Sequence, residues 1–329
     1  MPKQAVLLLA HGTPETIDQI PEYLRNVTSG RPLPPEVVAE IQHRYSLIGR
    51  SPLTEITFAQ AKLVEEELAA SGVPVPVYVG MRNWRPYIPD VVRKMRVDGI
   101  EEADVICMAP QNSRTSVGLY RRAVEAEAGN LRINFTEGWA RHPLLAVAFA
   151  ERLRPVLRKL TDEAGQPVPV LFTAHSVPTR TVQPPVPGSE SGPRFWPGQG
   201  ADPYAEEARH TAELVAERVP EIPRWWFAFQ SQGASGGPWI GPTVEETLDS
   251  IAAEGHKLLI LQPIGFLCDH VEILYDVDRL FRSYAANIGL RLERPESLNS
   301  SLTLAKAIAD LARTSLVDLR TQSTAMTED

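Results

Sequence analysis

Short apolar runs and amphipathic stretches alternate along this chain. VLLLA at 6–10 and VLFTA at 170–174 are β-rich and apolar at nearly every position, the pattern of a parallel strand buried on both faces. PVYVGMR (76–82) and WWFAFQSQ (225–232) read as further strands, and 58–70 and 203–218 as amphipathic helices. VVRKMRVDGIEEADVICMAPQ (91–111) and TLDSIAAEGHKLLILQPIGF (247–266) each read as helix, glycine stop and apolar strand, with Gly99 and Gly255 as the stops. The pattern V-L-x-x-A-H-[GS]-x-P occurs at 6–14 and again at 170–178. Such a repeat predicts an α/β protein of two similar domains with parallel sheets flanked by helices, 1–145 and 146–301. A last helix is expected over 302–320, joined to the first domain, with a frayed tail after it.

In sheets of this kind ligands bind beyond the carboxyl ends of the strands. The repeat delivers His11, His175 and the segments 110–116 and 263–272 to that edge, so a cleft between the halves is expected there. The Pro-, Gly- and Ser-dense stretch 183–201 is expected to be an irregular loop at its rim. The chain has 329 residues and a net charge of −8, which argues against general nucleic-acid or anionic-membrane binding. Cys107 and Cys268 are the two cysteines, too few for a disulfide framework or an iron–sulfur cluster. Apolar runs fall short of a membrane span or a signal-peptide core, so a cytoplasmic protein is expected.

No G-x-G-x-x-G, P-loop or G-x-S-x-G pattern is present. His11 and His175 each suit a general base, a metal ligand or a strand-end cap bonded to backbone. DHVEILYDVDRL (269–280) is expected to open a helix with Asp269, Glu272 and Asp276 on one stripe, fit for passing a cation or protons along, or else a solvated acidic face. His270 and Glu272 are two apart, so on a helix they face different ways. Arg44, Arg82, Arg85, Arg114, Arg121 and Arg122 supply local positive charge that suits carboxylates, although most are expected to be ordinary surface residues. Trp84, Trp225, Trp226, Trp239, Tyr45 and Phe266 suit either a flat aromatic ligand or the core.

The strings AHGTP (10–14), RYSLIGRSPLTEIT (44–57), VGMRNWRPYI (79–88), APQNSRTSVGLY (109–120), TAHSVP (173–178), FQSQGASGGPWIGPTVEETL (229–248) and PIGFLCDHVEILYDVD (263–278) together resemble the ferrochelatases. That resemblance implies two Rossmann-like domains around a porphyrin cleft, and insertion of Fe2+ into a porphyrin in haem biosynthesis. It implies a metal and catalytic pair of His175 and Glu272, with Asp276 and Asp269 on an acidic path to it. Arg44, Tyr45, Ser51 and His11 are implied as porphyrin contacts. Fe2+ is then a substrate, no tightly bound cofactor is expected, and the protein is expected to be a monomer. The A-x-G-T-P start is nearer to the coproporphyrin enzymes of the family, which favours coproporphyrin III over protoporphyrin IX. A non-catalytic tetrapyrrole carrier and a cobalt or sirohydrochlorin chelatase are the competing readings. Departures from the family pattern are His11 in place of Tyr, a loop at 48–51 one residue shorter, Leu280 where relatives place a carboxylate, and a longer 183–201 stretch.

Overall fold

The computed structural model describes residues 2–182, 201–232 and 237–325. The stretch 183–200, expected to be an irregular loop, lies outside the described residues. In chain order the elements are β1 (Gln4–Ala10), a 3-10 turn (Ile17–Gln19), α1 (Ile20–Val27), α2 (Pro35–Ile48), α3 (Leu53–Ala70), β2 (Val77–Met81), α4 (Ile88–Val97), β3 (Glu102–Cys107), α5 (Val117–Ala128) and β4 (Arg132–Thr136). The second half follows with α6 (Pro143–Ala164), β5 (Val170–His175), α7 (Thr179–Val182), α8 (Tyr204–Arg218), β6 (Trp225–Gln230), α9 (Val244–Ala253) and β7 (Leu258–Pro263). A π-helix (Glu272–Phe281), α10 (Arg282–Asn287), β8 (Arg291–Glu293) and α11 (Leu302–Ala325) complete it.

Two parallel four-stranded sheets result, ordered β2-β1-β3-β4 and β6-β5-β7-β8. The order is the same in both halves: the first strand of each is flanked by the second on one side and the third on the other. Chain direction across the sheet therefore reverses at β1 and at β5, and ligands bind at such a reversal. His11 follows β1 and His175 ends β5, so the sequence repeat is a repeat of switch points.

Every residue of β1 and of β3 is buried, as a sheet covered on both faces requires. Leu7, Leu9 and Val105 face α4 and α5 in one apolar cluster. Leu171, Ala228 and Leu261 face α9 and the π-helix in another. Between the sheets runs a single core, in which Leu8 of β1, Val64 of α3, Phe149 of α6, Phe172 of β5, Ala208 of α8 and Ile308 of α11 belong together. Gly99 and Gly255 have φ of +76° and +93°, and Ile100 and His256 donate back to Met95 and Ile251 across the expected helix stops.

Two expectations are corrected. The helix after β7 begins at Glu272 rather than at Asp269, and its turns are π, closing i to i+5. The last helix runs to Ala325 rather than ending at 320, since TQSTA contains no Gly or Pro to stop it.

Because Ile308 is fully buried in the core that joins the sheets, Ile308→Ala is expected to lower unfolding stability by about 2–5 kcal/mol. Denaturant unfolding of the pure proteins measures this, and a loss below about 0.5 kcal/mol would contradict the packing described.

Candidate active site

At the end of β5 the backbone holds His175 from both sides. Tyr204 of α8 donates its hydroxyl to the His175 carbonyl at 2.8 Å, and the imidazole Nδ1 bonds the Ser176 carbonyl. The 264–270 segment passes hard against the strand: a Cβ on Gly265 would meet Ala174 Cβ at 3.0 Å. That close approach brings Phe266 edge-on to His175 at 6.3 Å between ring centres, with His270 4.5 Å from Phe266.

Glu272, the first residue of the π-helix, faces both imidazoles. Its Oε1 lies 3.6 Å from His175 Nε2 and its Oε2 3.5 Å from His270 Nε2. His270 Nδ1 bonds the Cys268 carbonyl at 3.0 Å. Each ring therefore gives Nδ1–H to a backbone carbonyl and turns Nε2 to the same carboxylate. The two-residue spacing of His270 and Glu272 does not separate them, because His270 lies outside the helix and its carbonyl accepts the first backbone bonds, from Ile273 and Leu274. A helical count that already runs at 270 turns His270 away from Glu272, whereas the structure starts the helix at Glu272 and turns the ring towards it. The TAHSVP string and the DHVE string, read together, hold the signal.

Electrostatics couple the three groups. Burial lowers the affinity of His175 for a proton, but the Glu272 carboxylate outweighs it and raises the His175 pKa above its ordinary 6.5. Burial opposes ionisation of Glu272, yet His175 and His270 hold its pKa well below the ordinary 4.5. The side chains of His175 and Glu272 keep 31% and 33% of their surface exposed, so both remain open to a ligand.

In a π-helix four residues make slightly less than one turn, so Asp276 stacks over Glu272. Asp276 is 4% exposed, accepts from the Ser231 hydroxyl, and lies 3.5 Å from Arg44. Burial and the Glu272 charge raise its pKa against the pull of Ser231 and Arg44. Arg44 also pairs with Glu40 at 3.0 Å and lies 5.0 Å over the Tyr275 ring, so it ties α2 to the π-helix. Asp269 does not share this stripe: its carboxylate is taken up by Ser297, Asn299 and Arg294. Leu280, further along, is 44% exposed.

The first sheet contributes His11. Gly12 next to it has φ +78°, and a Cβ there would meet Met81 Cβ at 2.8 Å, so only glycine lets β1 end this close to β2. His11 Nε2 lies 2.9 Å from the Tyr23 hydroxyl, and the Asn83 amide reaches the ring. Burial, helped by the Arg82 charge, pushes its pKa down to about 4, so it is an uncharged imidazole at neutral pH. The charges of Glu272, His270 and His175 reach it as well, so the two switch points are electrostatically coupled. Tyr45 and Ser51 are buried, and their hydroxyls, with that of Thr13, have no hydrogen-bond partner among the described residues. Burial and Glu272 raise the Tyr45 pKa, which keeps it a neutral phenol.

The Ferrochelatase family profile matches residues 3–316. The chain belongs to the ferrochelatase family. It is 59% identical to the ferrochelatase of Acidobacterium capsulatum over 315 residues, 95% of each chain. With the coproporphyrin III ferrochelatase of Mycolicibacterium vanbaalenii it shares 33% identity over 324 residues, 94% of this chain and 89% of that one. Among solved structures, SirB from Bacillus subtilis with Fe3+ superposes with a TM-score of 0.55 over 97% of this chain and 98% of that one, at 14% identity, a likeness of fold. This family member is thus a metal chelatase of haem biosynthesis that inserts iron into a porphyrin. No helix of the described residues is long and apolar enough to cross a membrane.

The shifts make a signed prediction. With its pKa raised, His175 is protonated below that value and the ion pair with Glu272 holds; as pH rises through it the proton leaves and the pair's attraction is lost. NMR titration of the His175 ring is expected to give a midpoint above 6.5 in the wild type and a lower one in Glu272→Gln. An unchanged midpoint would show that Glu272 does not set it.

Proposed function

We propose that Fe2+ enters the porphyrin at the convergence of His175, Glu272 and His270, and that coproporphyrin III is the substrate. The observation that carries the proposal is the shared orientation of the two rings: with Nδ1–H given to a carbonyl, each neutral imidazole aims a lone pair at the oxygens of Glu272. A separation of 3.6 Å between His175 Nε2 and Glu272 Oε1 suits two neighbouring positions around one divalent cation, whose bonds to such atoms are about 2.0–2.2 Å. Imidazole and carboxylate bind ferrous iron firmly enough to collect it and loosely enough to pass it on.

Metalation replaces two pyrrole N–H protons by one Fe2+, so the site must accept two protons for each ion it delivers. A nitrogen lone pair cannot hold iron and a proton together. His175 and Glu272 form the inner pair, and His270 adds a third acceptor on the same carboxylate. Asp276, stacked one turn on, has a pKa moved towards the range in which a carboxyl both takes up and releases a proton. Protons leaving the ring are taken by the group of the inner pair that does not hold iron, and pass to Asp276. His11 forms the facing wall as an uncharged ring, so it adds no repulsion to the incoming cation. Iron is a substrate in this scheme, and no resident cofactor is assigned.

Thr13, Tyr45 and Ser51 hold hydroxyls without a partner among the described residues, and porphyrin carboxylates would satisfy them, with Arg44 nearby to add charge. Relatives named coproporphyrin III ferrochelatase support the substrate choice. Action as a monomer in the cytoplasm belongs to the same proposal.

Anaerobic Fe2+ insertion, followed by porphyrin absorbance with coproporphyrin III and protoporphyrin IX side by side, tests this. Faster metalation of coproporphyrin III is expected. Faster metalation of protoporphyrin IX would overturn the substrate choice, and binding of both without metalation would overturn the site.

A further inference from the structure

We infer that the Arg82 guanidinium anchors a ring carboxylate of the tetrapyrrole and through it sets which porphyrin this chain prefers. The inference rests on the porphyrin reading above and deepens it.

Arg82 directly follows the last residue of β2, at the ligand edge of the first sheet. Its backbone N–H donates to the Ala10 carbonyl at 2.9 Å, and the next N–H, of Asn83, donates to the His11 carbonyl at 2.9 Å. The residue is therefore clamped beside the β1 switch point. Its half-buried side chain runs towards the 110–116 segment, where Nη1 donates to the Thr115 carbonyl at 3.2 Å and the guanidinium carbon lies 5.9 Å from the Tyr120 ring centre. Tyr23, hydrogen-bonded to His11, is near enough to feel the same charge.

Among the described residues no carboxylate forms an ion pair with Arg82. Its neighbours differ: Arg85 pairs with Glu22, Arg121 with Glu137 and Glu125, and Arg44 with Glu40 and Asp276. A half-buried guanidinium given one carbonyl and one aromatic ring is incomplete, because charge partly withdrawn from water is retained where it is paired. Burial weakens its hold on its own proton against the opposing pull of Tyr120 and Tyr23, and its charge helps keep His11 neutral. Arg has five N–H donors in a planar fork, and one of them is used here. The group that matches the remaining fork is a planar anion with two oxygens, a carboxylate carried in on the ligand.

Porphyrins differ at this point in a way that Arg82 can read. Coproporphyrin III carries propionates on all four pyrrole rings, whereas protoporphyrin IX replaces two of them with vinyl groups. A propionate completes the fork. A vinyl placed there covers the cation from water and leaves it unpaired, which costs more than an absent contact. The unpartnered hydroxyls of Thr13, Tyr45 and Ser51 cannot make this distinction, because a hydroxyl tolerates water or an apolar neighbour far better than a charge does. Arg82 instead lies between the β1 switch point, through its backbone bond to Ala10, and Thr115 and Tyr120, through its side chain.

Steady-state metalation by wild type, Arg82→Met and Arg82→Lys, each on coproporphyrin III and protoporphyrin IX, tests the inference. Arg82→Met is expected to raise KM for coproporphyrin III roughly tenfold to a hundredfold and to change that for protoporphyrin IX by less than about threefold. Arg82→Lys, which keeps the charge but not the fork, is expected to fall between. Losses that are equal on the two porphyrins, or absent on both, overturn the inference. The rate on protoporphyrin IX and the thermal midpoint of each variant report whether the fold survives, and Arg82→Lys carries the test if Arg82→Met does not fold. A wild type that metalates neither porphyrin would instead overturn the underlying reading, so the two failures are distinguishable.

Discussion

One carboxylate answering to two imidazoles is the constraint on which this structure turns. Glu272 meets His175 at 3.6 Å and His270 at 3.5 Å, and each histidine reaches it from a different direction. His175 comes from the end of β5, and its backbone is held by Tyr204. His270 comes from the turn after β7, brought close because Gly265 can lie against Ala174 where a side chain could not. The π-turn then sets Asp276 over Glu272. Removing any one of these supports would leave the charges present but their geometry lost, and the proposed metal transfer depends on that geometry.

The two halves of the cleft are chemically unlike even though their topology is the same. Both sheets reverse direction at their first strand and both present a histidine there. In the second half a carboxylate raises the pKa of that histidine. In the first, burial and Arg82 lower it to about 4. The same strand motif thus yields one histidine coupled to a carboxylate and one held neutral, the division that the proposed roles of metal transfer and porphyrin contact draw on. An acidic chain can receive a porphyrin with its acidic groups because the charge near the neutral histidine is locally positive.

Much of this was legible in the sequence, for identifiable reasons. Buried parallel strands announce themselves as continuous apolar runs, and the repeated V-L-x-x-A-H pattern marks both switch points. Gly99 and Gly255 marked helix ends because a left-handed residue is needed there. The part that was not legible is a matter of where a helix begins and how tightly it winds. An α-helical count from Asp269 placed that residue on the acidic stripe, whereas Ser297, Asn299 and Arg294 hold it elsewhere. The same count set His270 aside, although it lies before the first turn and faces Glu272. A π-helix has no strong local signature, since its wider turn is stabilised by the packing of Ile273, Val277 and Phe281 rather than by propensity. The engagement of Arg44 with Asp276 links residues 232 positions apart and follows only from the fold.

The most direct test of the central claim is the His175→Ala protein, assayed anaerobically for porphyrin binding and for Fe2+ insertion in the same preparation. If His175 and Glu272 form the inner pair, the variant binds the porphyrin as the wild type does and metalates it at a rate reduced by roughly a hundredfold or more. Metalation at an unchanged rate would contradict the account, because iron would then be reaching the ring without the side chain around which the site is built.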